Sequence, residues 1–112
     1  MKKNIALPVT GKILDEHFGR AQYFKLYKLK NAKILSEKLV KSPIHEPGLL
    51  PIWLAKKNVT DVIVAGIGHK AIEIFNQNKI NVFVGVKVKN STELVHDYLD
   101  GRLETNGNLC DH

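Results

Sequence analysis

Long hydrophobic runs are missing: no apolar stretch of the 112-residue chain approaches the roughly 20 residues that a membrane-spanning helix needs. Cysteine is nearly absent. The single Cys110 cannot form an internal disulfide, so the chain is not covalently stapled and a reducing compartment suits it. No Lys/Arg block of the five-to-eight-residue kind appears either, which removes the plainest signature of a nucleic-acid-binding arm. There is no Gly-x-Ser-x-Gly elbow, no Walker-type phosphate loop, no His-Glu-x-x-His and no Cys-x-x-Cys. Those absences leave serine hydrolases, P-loop enzymes, zinc proteases and dithiol oxidoreductases without their reacting groups. Internal repeats and low-complexity segments are lacking as well. The start, Met-Lys-Lys-Asn, is basic, but the apolar stretch Ile5 to Val9 is too short for a signal-peptide core and holds a proline, so a cytoplasmic location is expected.

What is present matches an ordinary globular protein. The length suits one domain spanning 1–112, with 44% apolar and 25% charged residues. Seventeen Lys and Arg against eleven Asp and Glu leave a formal charge of +6. A nucleic acid, a phosphorylated metabolite or an anionic metal cluster would each be drawn to that charge, and a solvated lysine face would equally account for it. Nucleic acid has the least support, since no basic stripe with stacking aromatics is visible along the chain.

Local patterns give the element order. Asn4 to Val9 reads as a short buried strand stopped by Pro8 and by the turn residues Thr10 and Gly11. Tyr23 to Leu29 alternates apolar residues with lysines, and Lys33 to Val40 pairs back on it across an Asn31-Ala32 turn. Leu49, Leu50, Trp53 and Leu54 share a helical face, with Pro51 tolerated in the first turn and Asn58 at the C-terminal cap. Asp61 to Ala65 is a β-branched run suited to a central parallel strand. His69 to Asn78 forms an amphipathic helix, Asn81 to Gly85 a strand, and Ser91 caps a last helix that Gly101 ends. The expected fold is α/β: a three-layer α/β/α arrangement around a five-stranded mixed sheet, in a ribonuclease H-like layout.

Open α/β sheets bind ligands beyond the carboxyl ends of their parallel strands. Two features fall there. The loop Asp15-Glu16-His17-Phe18-Gly19-Arg20 follows the first strand, and Gly66-Ile67-Gly68 joins a buried strand to a helix whose first N–H groups favour an anion. Gly66 and Gly68 are a weak nucleotide fingerprint, because the third glycine is missing and Ala71 lies only three positions on; a plain strand-to-helix turn explains them equally well. His69 opens that helix, where the dipole suits a neutral, metal-binding imidazole, and an ordinary exposed histidine is the competing reading. His17, held in a loop between strands, is a better ligand candidate than a core residue. His45 lies in a second loop with Glu46, and Cys110 and His112 stand two apart in the tail. Thiolate and imidazole together suit iron, iron–sulfur clusters or zinc, but one Cys and one His cannot close a tetrahedral site. His96 has no expected role. Nuclease chemistry on such a sheet needs converging carboxylates, one of them on the first strand, and Asn4-Ile5-Ala6-Leu7 carries none. No enzymatic turnover is expected.

Ile5-Ala6-Leu7-Pro8-Val9, Asp15-Glu16-His17-Phe18-Gly19-Arg20-Ala21, Leu50-Pro51-Ile52-Trp53-Leu54, Val62-Ile63-Val64-Ala65-Gly66-Ile67-Gly68 and Asn108-Leu109-Cys110-Asp111-His112 occur in this order. Together they resemble the dinitrogenase iron-molybdenum cofactor biosynthesis family of the NifX and NifB C-terminal type. The resemblance implies a ribonuclease H-like fold without nuclease residues. It also implies a non-enzymatic carrier or chaperone that transiently binds an iron–sulfur or iron-molybdenum cofactor precursor. Metal-cluster donor and acceptor proteins would be the partners, with no membrane and with the chain a monomer or weak homodimer. By position, His17 is the histidine of the family's His-Phe-Gly motif, and 66–68 is its glycine turn. Where relatives have a glycine- and histidine-rich stretch before the Pro-x-Trp-Leu helix, this chain has His45-Glu46-Pro47-Gly48-Leu49. The remaining alternative is a small regulatory domain holding a phosphorylated ligand or nucleotide at Gly66 to Gly68.

Overall fold

The computed structural model describes residues 2–43 and 48–105. Its strands are β1 (Lys2–Thr10), β2 (Ile13–Leu14), β3 (Tyr23–Lys30), β4 (Lys33–Lys41), β5 (Asp61–Ile63) and β6 (Asn81–Phe83). The helices are α1 (Leu49–Lys56), α2 (His69–Gln77) and α3 (Ser91–Leu99). They form one mixed six-stranded sheet of order β4-β3-β1-β5-β6, with β2 paired to the end of β1. β1, β5 and β6 run parallel, while β3 and β4 form the antiparallel hairpin at one edge. Six strands stand where five are expected. The extra one, β2, is two residues long and too short to show a period.

The first strand also runs through Pro8 instead of stopping there. The Pro8 carbonyl accepts from the Asp15 N–H at 2.8 Å. The proline nitrogen therefore faces that same edge, where β1 passes from β5, paired at Ile5 and Ala6, to β2, paired at Val9 and Thr10. A missing donor at that gap breaks no ladder bond.

Alternation along β1 divides the core. Ala6 joins Phe24, Leu50, Leu54, Val62 and Phe75 on one side. Ile5, Leu7 and Val9 join Tyr27, Ile63, Leu94 and Val95 on the other. α1 and α2 therefore cover one face and α3 the opposite one. Burial of β1 from Ile5 to Val9 on both faces follows from its central place.

Several helix and strand ends differ from the sequence expectation. Asn90, not Ser91, caps α3, its Oδ1 accepting from the Thr92 and Glu93 amides at 2.9 and 3.3 Å. The Ser91 hydroxyl is instead buried against the Tyr27 hydroxyl at 2.8 Å. Lys57 is the C-cap of α1, and Asn58 is the left-handed residue just beyond it. β5 and β6 end at Ile63 and Phe83, because Val64 and Ala65 give their carbonyls to the Val86 and Gly85 amides of the following loop.

A polar cluster marks the start of β5. Asp61, 1% exposed, accepts from Thr60 Oγ1 at 2.7 Å and Asn81 Nδ2 at 2.9 Å. Lys3 Nζ lies 3.9 Å from the same carboxylate. Burial, with the charge of Asp61 and a hydrogen bond to it, raises the Tyr98 phenol above its usual 10.0. The folded state thus holds this proton more tightly than the unfolded chain, so stability falls as pH rises past about 10, where unfolded tyrosine ionises first. In Tyr98→Phe that share of the alkaline decline should vanish, as read from urea midpoints against pH.

The β3–β4 turn places both Asn31 and Ala32 at positive φ, 53° and 64°. Asn tolerates this; the Cβ of Ala32 does not. Ala32→Gly should therefore stabilise the protein by about 0.5–1 kcal/mol in urea titrations, the relief of strain outweighing the added freedom of the unfolded chain.

Candidate functional site

The two features expected beyond the parallel strands meet there. His17 forms a parallel bridge with Gly66. The Gly66 N–H donates to the Glu16 carbonyl, and the Phe18 N–H donates to the Gly66 carbonyl, each at 3.0 Å. The loop after β1 is thus sewn to the turn between β5 and α2.

Asp15 shapes that loop from within. Its Oδ2 accepts from the Thr10 hydroxyl at 2.8 Å and its Oδ1 from the His17 amide at 3.0 Å. One carboxylate therefore clasps both ends of the turn, and its oxygens are committed to the fold. The next residues make a single 3-10 turn, Phe18–Arg20, closed by Arg20 N–H to His17 O and Ala21 N–H to Phe18 O. Phe18 is 3% exposed. Its ring meets Phe24 of β3 and Phe75 of α2 edge-on, each at 5.6 Å. His17 has extended backbone, φ −126° and ψ 109°, so its side chain leaves on the side opposite Phe18 and remains half-buried. Gly19 is exposed, and a Cβ there would meet open space. Nothing in the fold requires glycine at that position.

The helix side of the site is electropositive by construction. Gly68 is the N-cap of α2 and offers no side-chain acceptor; the first turn holds no acidic residue and includes Lys70. The first ladder bond of α2 runs from Ile72 N–H to Gly68 O at 3.3 Å. By geometry the preceding amides have no partner within the helix, and their dipoles favour an anion. His69 is exposed at the first helical position.

His17, Gly66, Gly68 and His69 are therefore brought to one end of the sheet. Among the described residues, no group of three or more His, Cys, Asp or Glu stands close enough to hold a metal ion. His45, Cys110 and His112 lie outside the described residues. Two structural parts of the site were not anticipated from the sequence: the Asp15 clasp and the Phe18 wedge. The signal for the first is a hydroxyl and an acid five apart around a tight turn, Thr10 and Asp15.

A mixed α/β sheet whose His17 loop is bridged to the turn before α2 has the arrangement at which open α/β sheets place their ligands. Residues 1–101 match the family described as dinitrogenase iron-molybdenum cofactor, and the chain belongs to that family. It is 30% identical over 105 residues to MJ0580, an uncharacterized protein of Methanocaldococcus jannaschii, covering 89% of this chain and 88% of that one. The crystal structure of PH0822 superposes with a TM-score of 0.87 at 27% identity, over 94% and 96% of the two chains. The apo form of the orange protein from Desulfovibrio gigas shares the fold, with a TM-score of 0.76 at 22% identity over 95% and 94%.

The clasp has a measurable consequence. Asp15→Ala should cost about 1–2 kcal/mol, for two partly exposed charge-assisted hydrogen bonds, and should speed hydrogen exchange at the His17 amide. Asp15→Asn, which keeps an acceptor for that amide, should preserve most of its protection.

Proposed function

We propose that this protein is a non-enzymatic carrier or chaperone for an iron–sulfur or iron-molybdenum cofactor or its precursor. It takes the cluster from one protein and passes it to another in the cytoplasm, acting as a monomer or weak homodimer. Membership of the family supports the class of cargo. The observation that carries the reading is the backbone bridge between His17 and Gly66, which ties the His17 loop to the turn leading into α2. Imidazole is a good iron ligand, and backbone amides with lysine nearby offset the negative charge of a cluster. We read the layout as three-layer and ribonuclease H-like, with its ligand end put to binding.

Anaerobic incubation with iron and sulfide should give the wild-type protein a charge-transfer absorption that falls several-fold in His17→Ala. Equal spectra for the two would remove His17 from the site. His45, Cys110 and His112 are the other proposed ligands, and the same assay on their alanine variants ranks them. Calorimetric titration with nucleotides should yield no heat. Heat that disappears on changing Gly68 would favour a regulatory domain that holds a phosphorylated ligand at the glycine turn.

A further inference from the structure

The excess positive charge is gathered on one surface. Lys25, Lys28, Lys30, Lys33, Lys38 and Lys41 lie in the β3–β4 hairpin, with Glu37 its only acid. Strand register then sorts these side chains. Lys2 pairs with Lys30, and Lys30 with Lys33, so three lysines form a row across β1, β3 and β4. Lys28 pairs with Asn4 and Ser36 in the next row, and Lys38 pairs with Leu26 in the row after. All three rows lie on the face that bears Ala6, Leu26 and Phe24, the face α1 covers further along. Glu37 is paired with Tyr27 and therefore faces the other way, where it meets Lys25 at 3.5 Å. Lys2, Lys28, Lys30, Lys33 and Lys38 are all exposed, and among the described residues none has a carboxylate within 4.0 Å.

Like charges directly opposite one another on neighbouring strands weaken a sheet. The fold therefore accepts a repulsion in the Lys2, Lys30 and Lys33 row that an anionic partner would relieve. β4 is also an edge strand, and Leu35 and Leu39 on it are 63% and 53% exposed. A second copy is a poor occupant. Antiparallel pairing of two β4 strands about Glu37 sets Glu37 on Glu37 and Lys33 on Lys41, and pairing about Lys38 sets lysine on lysine.

We propose that this lysine face, with the β4 edge beside it, is a docking surface for an acidic protein segment. Nucleic acid fits less well. The face has no arginine to fork onto phosphate or base edges. The aromatic at its border, Trp53, already has Lys57 Nζ over its ring at 5.0 Å and Phe24 in an edge contact at 5.7 Å, so stacking a base on it would displace a cation. The surface lies at the Lys2 end of β1, away from the His17 end, so a docked partner would leave the candidate site open.

The test uses the full chain and a fluorescein-labelled oligoglutamate peptide, followed by anisotropy at low salt. The variant Lys28→Gln/Lys30→Gln/Lys33→Gln/Lys38→Gln should bind about tenfold more weakly, the scale of four exposed ion pairs. The control Lys12→Gln/Lys79→Gln/Lys87→Gln removes exposed lysines that lie off the hairpin and should change affinity less than about twofold. The first variant should melt no lower than wild type, because it relieves repulsion, which separates lost binding from lost folding. Absence of wild-type binding, or equal weakening in both variants, overturns the proposal. So does tighter binding of oligothymidylate at the same lysines, which would make the face a nucleic-acid surface.

Discussion

The Phe18 ring, wedged edge-on between Phe24 and Phe75, is the contact on which the geometry of the site depends. The loop that carries it has only one short 3-10 turn of its own, so its position must come from outside. Two aromatic contacts of about 0.5–1.5 kcal/mol each, added to the burial of a phenyl ring, tie the loop at once to the hairpin and to α2. In an extended backbone consecutive side chains leave on opposite sides. Burying Phe18 therefore sends the His17 imidazole outward, so the aim of the candidate ligand is a consequence of its neighbour's burial.

The sequence was legible wherever a local pattern decides the outcome. The alternation in β3, the β-branched run of β5 and the apolar face of α2 each belong to a single element and carry their own period. The meeting of His17 with Gly66 was also legible, because two loops that follow parallel strands must emerge at one end of the sheet. What failed were outcomes set by partners distant in sequence. Whether Pro8 ends β1 depends on which edge its nitrogen faces, and that edge is set by β2 and β5. Asn90 and Ser91 are both good caps, and the choice fell to Asn90 because Tyr27 engages the Ser91 hydroxyl. The Asp15 clasp was not read from the sequence either: its carboxylate accepts from Thr10 and from the His17 amide and so holds the turn.

The two ends of the sheet differ in construction. At the start of β5 the buried Asp61 carboxylate is shared by Thr60 and Asn81, with Tyr98 and Lys3 beside it. Removing any one partner would leave a charge poorly compensated in the interior, so this network holds α3 and β6 in register. At the far end of the same strand the buried Gly66 bonds through its amide and carbonyl to the His17 loop, and the half-buried Gly68 starts α2 without a side chain. The polar network ties one end of the sheet together, while the other end carries the loop and turn of the candidate site.

Positive potential at the two ends also differs in kind. At α2 it comes from aligned amides, fixed in direction and fading within a turn of the helix, so it selects an anion by fit. On the hairpin it comes from ammonium groups on flexible stems. Their field extends over roughly 8–10 Å at physiological salt and selects by sign alone. A charge of the second sort raises the encounter rate with an acidic partner and is weakened by salt, whereas the first is shielded once a ligand is seated. One chain can therefore attract a large partner at the hairpin and hold a small ligand at the helix without competition between the two. The sequence could show the charge of +6 but not this division, because the lysines are spread at alternate positions and only the register of β1, β3 and β4 places them together.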